Sequence, residues 1–171
     1  MIKLEPFTEK DFERLIAWVD SKELLITIAG NYFSYPVTAQ QLHSYLDDEK
    51  SYPFNIVDTD ENKIIGHAEI CKSSYEIFKI DKLLIGDKIS RGKGLCRPIM
   101  QALVDYAFTE LHASIIELNV FDWNISAIKC YEKTGFVINA DKTSLFEAGD
   151  KKWTALNMTI EKSNIIRMAD K

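Results

Sequence analysis

Residues Leu83 to Pro98 read Leu83-Leu84-Ile85-Gly86-Asp87-Lys88-Ile89-Ser90-Arg91-Gly92-Lys93-Gly94-Leu95-Cys96-Arg97-Pro98, an apolar strand that enters a turn of glycines and cations and leaves as a helix. Glycines let backbone N–H groups close on a ligand, and a helix start adds the positive end of its dipole. Such a turn suits an anion, phosphate above all. Arg91, Lys93 and Arg97 reinforce the sign. Pro98 falls in the first helical turn, where its missing N–H costs no bond. The dinucleotide fingerprint GxGxxG fails, because Arg97 stands three residues after Gly94, and the Walker pattern GxxxxGKS/T is absent. Nicotinamide and nucleoside-triphosphate chemistry are thus disfavoured. A Gly-rich surface turn beside paired cations is the plain alternative.

Two further places carry chemistry. The stretch Asn124-Ile125-Ser126-Ala127-Ile128-Lys129-Cys130-Tyr131-Glu132-Lys133-Thr134-Gly135-Phe136 has the spacing of an amphipathic helix stopped by Gly135. Asn124 can cap it, and Tyr131 offers either a phenolic proton or a core ring. In Ile64-Ile65-Gly66-His67-Ala68-Glu69-Ile70, Glu69 is a carboxylate in apolar company, which is costly unless it is paired or functional. On strand alternation Glu69 shares a face with Ile65 and His67, opposite Ile64, Gly66, Ala68 and Ile70. Asp81 is a similar strand acid. His43 and His112 receive no role, and no cluster has metal-ligand spacing.

These residues need elements to hold them. Thr8-Glu9-Lys10-Asp11 reads as a capped helix start, with Phe12, Leu15, Ile16 and Val19 giving a helix over about 8–20. Thr38 and Gln41 start a second helix with Leu42, Tyr45 and Leu46 as its apolar stripe. The aromatic stretch Gly30 to Pro36 between them either packs on itself or faces a ligand. Strands at 54–57 and 63–70 flank the turn 58–62 and make a hairpin, and 78–85 is a third strand. A helix over about 95–111, a strand at 114–121 and the 124–134 helix follow. Two last strands near 136–140 and 152–160 flank the turn 146–150, and the polar tail from Glu161 reads as loose. The pattern is α/β or α+β, with helices against a mixed sheet.

At 171 residues the chain has room for one core and one domain, 1–171, without staples. With 21 basic and 26 acidic residues its net charge is −5, a poor match to nucleic acid or anionic membrane. Its N-terminus shows no signal-peptide pattern, and no apolar run is long enough to span a bilayer. Cys71, Cys96 and Cys130, odd in number and without CxxC spacing, read as reduced, mostly buried thiols of a cytoplasmic protein rather than a disulfide framework.

Arg91-Gly92-Lys93-Gly94-Leu95-Cys96 resembles the R/Q-x-x-G-x-G/A pyrophosphate loop of the GNAT superfamily of N-acetyltransferases. The stretch Asn124 to Phe136 resembles that family's second motif, N-x-x-A-x-x-x-Y-E-K-x-G-F, and the two stand in order, one helix and one strand apart. The likeness covers about residues 2–160, with one departure: Cys96 stands where the family prefers Gly or Ala. It implies a mostly antiparallel sheet of about six or seven strands with a splayed central parallel pair, flanked by about four helices. It further implies that acetyl-CoA lies between strands ending near Ile85 and Phe121, its pantetheine arm added to the backbone of Leu84, Ile85 and Gly86 like another strand. The pyrophosphate would sit on the amides of Arg91, Gly92, Lys93, Gly94, Leu95 and Cys96, with Asn124 bonded to the pantetheine.

By the same likeness Tyr131 is the general acid for the departing thiolate, and acetyl-CoA is the co-substrate, with no metal. Glu69 is the candidate base for the amine's proton, with Asp81 or a water as alternatives. The implied reaction is direct transfer of an acetyl group to a primary amine of a small molecule or a peptide N-terminus, since neither Cys96 nor Cys130 has a paired His for an acyl-enzyme. The opening Leu4-x-Pro6-Phe7-Thr8-Glu9-x-Asp11-Phe12 with Trp18 is similar to acetylases of ribosomal-protein N-termini and aminoglycosides, and the acidic balance tilts toward cationic acceptors. A catalytically silent CoA-binding module and an unrelated phosphate-binding domain are the rivals. Oligomeric state is not legible, and a homodimer is compatible with the pattern.

Overall fold

The computed structural model describes residues 1–163. The elements are β1 (Ile2–Pro6), a short 3-10 turn (Glu9–Asp11), α1 (Phe12–Trp18), α2 (Lys22–Ala29), α3 (Ala39–Leu46), β2 (Ser51–Asp58), β3 (Lys63–Ser74) and β4 (Ile77–Ile85). A second 3-10 turn (Lys88–Ser90) precedes α4 (Cys96–Thr109), β5 (Ile115–Phe121), α5 (Ile125–Thr134), β6 (Val137–Ala148) and β7 (Lys151–Glu161). The seven strands run in the order β1-β2-β3-β4-β5-β7-β6, antiparallel except for the β4–β5 pair. The mixed sheet and its parallel pair are as the sequence implied. Beyond residue 163 the polar tail lies outside the described residues.

Two compact units organise the chain, one of Met1–Cys71 with Asp81–Leu95, the other of Lys72–Ile80 with the chain from Cys96 onward. In the first, β2 and β3 form the expected hairpin, with Asp58 opposite Lys63 at the turn. β1 adds to β2 with Ile2 opposite Asp58 and Pro6 opposite Phe54. The sequence reading missed β1, a five-residue strand that borrows its order from β2. It also missed α2, whose β-branched Ile26, Thr27 and Ile28 are weak helix formers. Ser21 nevertheless caps it, accepting from Leu24 N–H at 3.1 Å. The start at Thr8 holds as read: its N–H donates to the Asp11 carboxylate at 2.8 Å. Phe7, Phe12, Leu15, Val19, Leu25, Leu42 and Tyr45 close one core with Leu84. Phe33 packs against that core, and Tyr32 and Phe33 stand edge-on to Tyr45. The aromatic loop is thus anchored by α3 as well as by itself.

In the second unit β4 and β5 pair in parallel at Ile77–Ile115, Phe78–Ile116 and Lys79–Glu117. β7 pairs with both β5 and β6, and the β6–β7 hairpin runs longer than expected, closing at Ala148 opposite Lys151. α4 buries Ile99, Leu103 and Ala107 at helical spacing, with Met100, Val104 and Phe108 beside them, and ends at Thr109, two residues before the expected 111. α5 buries no residue fully and ends at Gly135, whose φ of +102° a side chain would resist. The expectation of three reduced thiols fails. Cys96 and Cys130 form a disulfide that ties the first residue of α4 to α5, their Cα atoms 6.3 Å apart. Spacing along the chain could not reveal it, because the fold brings together cysteines 34 positions apart. All three cysteines are partly buried, and Cys71 is not disulfide-bonded.

Candidate active site

The Gly-rich turn is built from the end of β4 outward. Ile85 passes to Gly86, where a Cβ would lie 1.9 Å from Cδ2 of Trp18, so the indole admits only glycine. Asp87 N–H then donates to the Ile65 carbonyl at 3.1 Å. The Asp87 carboxylate accepts from Ser90 Oγ at 2.6 Å and lies 2.9 Å from Lys63 Nζ, and these partners hold its pKa below the ordinary carboxylate value. Arg91 folds back, its Nε–H donating to the Ile85 carbonyl at 2.8 Å. Beyond this anchor Gly92 and Gly94 take φ of +75° and +74°, and nothing lies within 4 Å of where either Cβ would be. Lys93 leans to Glu61 at 3.5 Å, and the chain enters α4 at Cys96.

Of the three cations only Lys93 leans on a carboxylate, while the bond of Arg91 to a neutral carbonyl leaves its charge in place, so cations and backbone N–H groups both draw an anion to the turn. Both glycines and Arg91, Lys93 and Arg97 are exposed, with Leu95 and Cys96 half-buried. An open, left-handed pair of glycines leading to a helix N-terminus fits a pyrophosphate that needs close backbone approach.

In the second unit Asn124 is the N-cap of α5, its Oδ1 accepting from Ala127 N–H at 3.4 Å and from Ser126 Oγ at 3.3 Å. The cap uses only the oxygen of the amide. Tyr131 is half-buried in the last turns of α5, its ring 6.3 Å from that of Phe136. Its carbonyl accepts from Phe136 N–H at 3.0 Å, so the helix end that Gly135 breaks also fixes the tyrosine.

Glu69 is a satisfied core acid, the paired alternative that its apolar company leaves open. It is buried, 2% exposed, and its carboxylate accepts from Ser51 Oγ on β2 and from Lys82 Nζ on β4. Lys82 is 4% exposed, and its ammonium stands 3.9 Å from the centre of the Tyr32 ring and 5.3 Å from that of Tyr45. Lys82 holds φ of +51°, a left-handed conformation unusual for a side-chain-bearing residue in a strand. Beside it His67 is buried, with Nε2 3.2 Å from the Tyr45 hydroxyl. Burial, and then the Lys82 charge, push the His67 pKa down to about 3. Asp81 accepts from Lys82 N–H at 3.0 Å through Oδ1.

The structure therefore brings Leu84, Ile85, Gly86 and Arg91 to Leu95 into one turn, and places Glu69 in a separate buried cluster. Sequence reasoning missed Lys82, Ser51 and Tyr45 as members of that cluster. The available signal was a lysine at a buried position of β4's alternation, which demands a buried counter-charge. Among the described residues no group of three or more His, Cys, Asp or Glu is placed to hold a metal ion. None of the described helices is long and apolar enough to cross a membrane.

Comparison with known proteins follows the same lines. Residues 2–137 match the family model described as an acetyltransferase (GNAT) domain. An N-acetyltransferase 9-like protein of Nematostella vectensis is 24% identical over 169 residues, covering 92% of this chain and 85% of the relative. A spermidine N(1)-acetyltransferase of Vibrio cholerae is 28% identical over 106 residues, 62% of this chain and 61% of the relative's length. The crystal structure of spermidine N-acetyltransferase from Vibrio cholerae, in complex with CoA and spermine, superposes with a TM-score of 0.82 at 20% identity, covering 96% of this chain and 98% of that one. At that identity the likeness is one of fold.

Proposed function

The chain belongs to the GNAT family of acetyl-CoA-dependent N-acetyltransferases, and on that premise we propose that it carries the acetyl group of acetyl-CoA directly to a primary amine, on a small molecule or a peptide N-terminus, as a single cytoplasmic domain. The observation that supports the cofactor side is the turn Arg91–Cys96, with two exposed left-handed glycines and open space over both. In the proposal its backbone N–H groups take the pyrophosphate, the backbone of Leu84, Ile85 and Gly86 takes the pantetheine arm, and Asn124 bonds that arm through its amide Nδ2–H, leaving Oδ1 to the helix cap.

Attack by a neutral amine on a thioester builds charge on the carbonyl oxygen and then on sulfur. Tyr131 is the proposed donor to that sulfur, held in place by the end of α5. Proton removal from the amine is harder to give to Glu69 now that Lys82 is its counter-ion. Protonating this carboxylate would strand a buried ammonium without its charge partner. The pair is better suited to holding Lys82 and the aromatic loop, which leaves Asp81 or a water to take the proton.

On the acceptor, an acidic chain favours cationic amines by long-range attraction, and the relative from Vibrio cholerae is named for spermidine. A panel of polyamines, aminoglycosides and peptides, assayed for CoA release and followed by mass spectrometry of the product, tests the proposal. Acetylated amine supports it. Acetyl-CoA binding without turnover on any amine would favour the silent CoA-binding module instead.

A further inference from the structure

We propose that Cys96 and Cys130 form a thiol–disulfide exchange site through which a low-molecular-weight disulfide of the glutathione type sets the affinity for acetyl-CoA. This rests on the reading of Arg91–Cys96 as the acetyl-CoA loop. Cys96 is both the last residue of that loop and the first of α4, and Cys130 immediately precedes Tyr131. One covalent bond thus joins α5, which carries Tyr131, to the loop's own last residue. The loop between its anchors is loose by composition, with Gly92 and Gly94 left-handed and exposed. Arg91 fixes its start on the Ile85 carbonyl, and the disulfide fixes its end. No other pairing in the described chain offers this, since Cys71 belongs to β3 and is not disulfide-bonded.

The chemistry favours exchange. Cys96 and Cys130 are only half-buried, so a small disulfide can approach. The helix start at Cys96, the first residue of α4, favours the thiolate that attacks. Oxidation proceeds as the Cys96 thiolate attacks one sulfur of the small disulfide, forming a mixed disulfide and expelling one small thiolate. The Cys130 thiolate then attacks the Cys96 sulfur, closing the protein bond and expelling the second. The two protein thiol protons end on the two small thiols, and two electrons pass from the protein to the small disulfide. Reduction frees the first residue of α4, and the backbone N–H groups that must converge on the pyrophosphate lose one of their two anchors.

The test equilibrates the full chain in glutathione buffers of stepped thiol-to-disulfide ratio. Alkylation and mass spectrometry read the state of the pair, and calorimetry reads the affinity for acetyl-CoA, whose own sulfur is blocked. We expect the pair to equilibrate within the glutathione range and the Kd to rise at least threefold on reduction, reversibly. The double variant Cys96→Ser with Cys130→Ser, which can form neither the bond nor a mixed disulfide, should hold the weaker Kd at every ratio, and Cys71→Ser should keep the full response. A Kd independent of redox state, a pair that glutathione cannot reduce, or a reduced chain that loses its circular dichroism would each overturn the proposal, the last by making the bond a structural staple. Absence of acetyl-CoA binding in both states would instead overturn the loop reading itself.

Discussion

Lys82 on β4 gives its ammonium to the carboxylate of Glu69 on β3, and both side chains are almost closed to solvent, at 4% and 3% exposed. Breaking a buried pair from one side leaves a charge uncompensated, at a cost of about 3–5 kcal/mol. Glu69→Gln should therefore lower the urea midpoint sharply, while Glu69→Leu with Lys82→Met should recover most of the loss, since an apolar pair of like volume needs no counter-charge. Equal stability of Glu69→Gln and wild type would show that the pair is not the anchor argued above. In a folded Glu69→Gln sample the acidic limb of kcat/KM should survive. Its loss would return Glu69 to the role of base.

The loop reading is tested by charge at an open backbone position. Gly94→Asp places a carboxylate where phosphate is proposed to sit, and acetyl-CoA affinity should fall at least tenfold, about 1.4 kcal/mol. Gly149→Asp is the control, because Gly149 shares the left-handed φ, at +61°, and the open space but lies in the β6–β7 turn. It should carry a similar strain and leave the Kd unchanged. Calorimetry on both variants separates strain from charge, and an unaltered Kd in Gly94→Asp would reject the placement.

Much of this was legible in the sequence where a local signal sufficed. Thr8 with Asp11, Thr38 with Gln41, and Gly135 mark helix ends through hydrogen bonds and φ values set within a few residues. The hairpin turn at 58–62 is equally local. What escaped reading was set by partners far along the chain. β1 exists because β2 pairs with it, more than forty positions away at its nearest register. Glu69 acquired its surroundings from Ser51 and Lys82 on neighbouring strands, and no alternation rule on β3 alone names them. The disulfide was invisible for the same reason. The glycine at 86 is required by Trp18, a ring contributed by α1, rather than by any turn.

His67 gives stability a pH dependence. Its pKa falls from 6.5 to about 3 in the fold, by burial first and the Lys82 charge second. Below about pH 6.5 the unfolded chain takes up a proton that the folded chain refuses, so stability is full above that pH and declines as pH falls toward 3. The slope approaches about 1.4 kcal/mol per pH unit for a single group. Between pH 6 and 4.5, above the range of most carboxylates, urea midpoints should fall accordingly in wild type and flatten by about one proton in His67→Gln. Parallel slopes in the two proteins would mean that His67 is protonated in the fold.

Tyr131 is the residue on which the chemical step can be isolated. Its ring lies 6.3 Å from Phe136, and its backbone carbonyl helps close the end of α5, so truncation to alanine would confound packing with catalysis. Tyr131→Phe keeps the ring and removes only the hydroxyl. General-acid catalysis contributes roughly a hundred- to ten-thousandfold, and a thiolate is a good leaving group, so a drop in kcat near the lower figure is expected. If the hydroxyl acts only as the thiolate departs, KM for acetyl-CoA should barely change, because ground-state binding loses nothing. The pH profile adds a second reading: the limb on the alkaline side of kcat, which reports the acid in the bound complex, should vanish in the variant. Steady-state kinetics on an amine identified by the panel measure both. A kcat equal to wild type would leave Tyr131 as a ring that packs against Phe136 and nothing more.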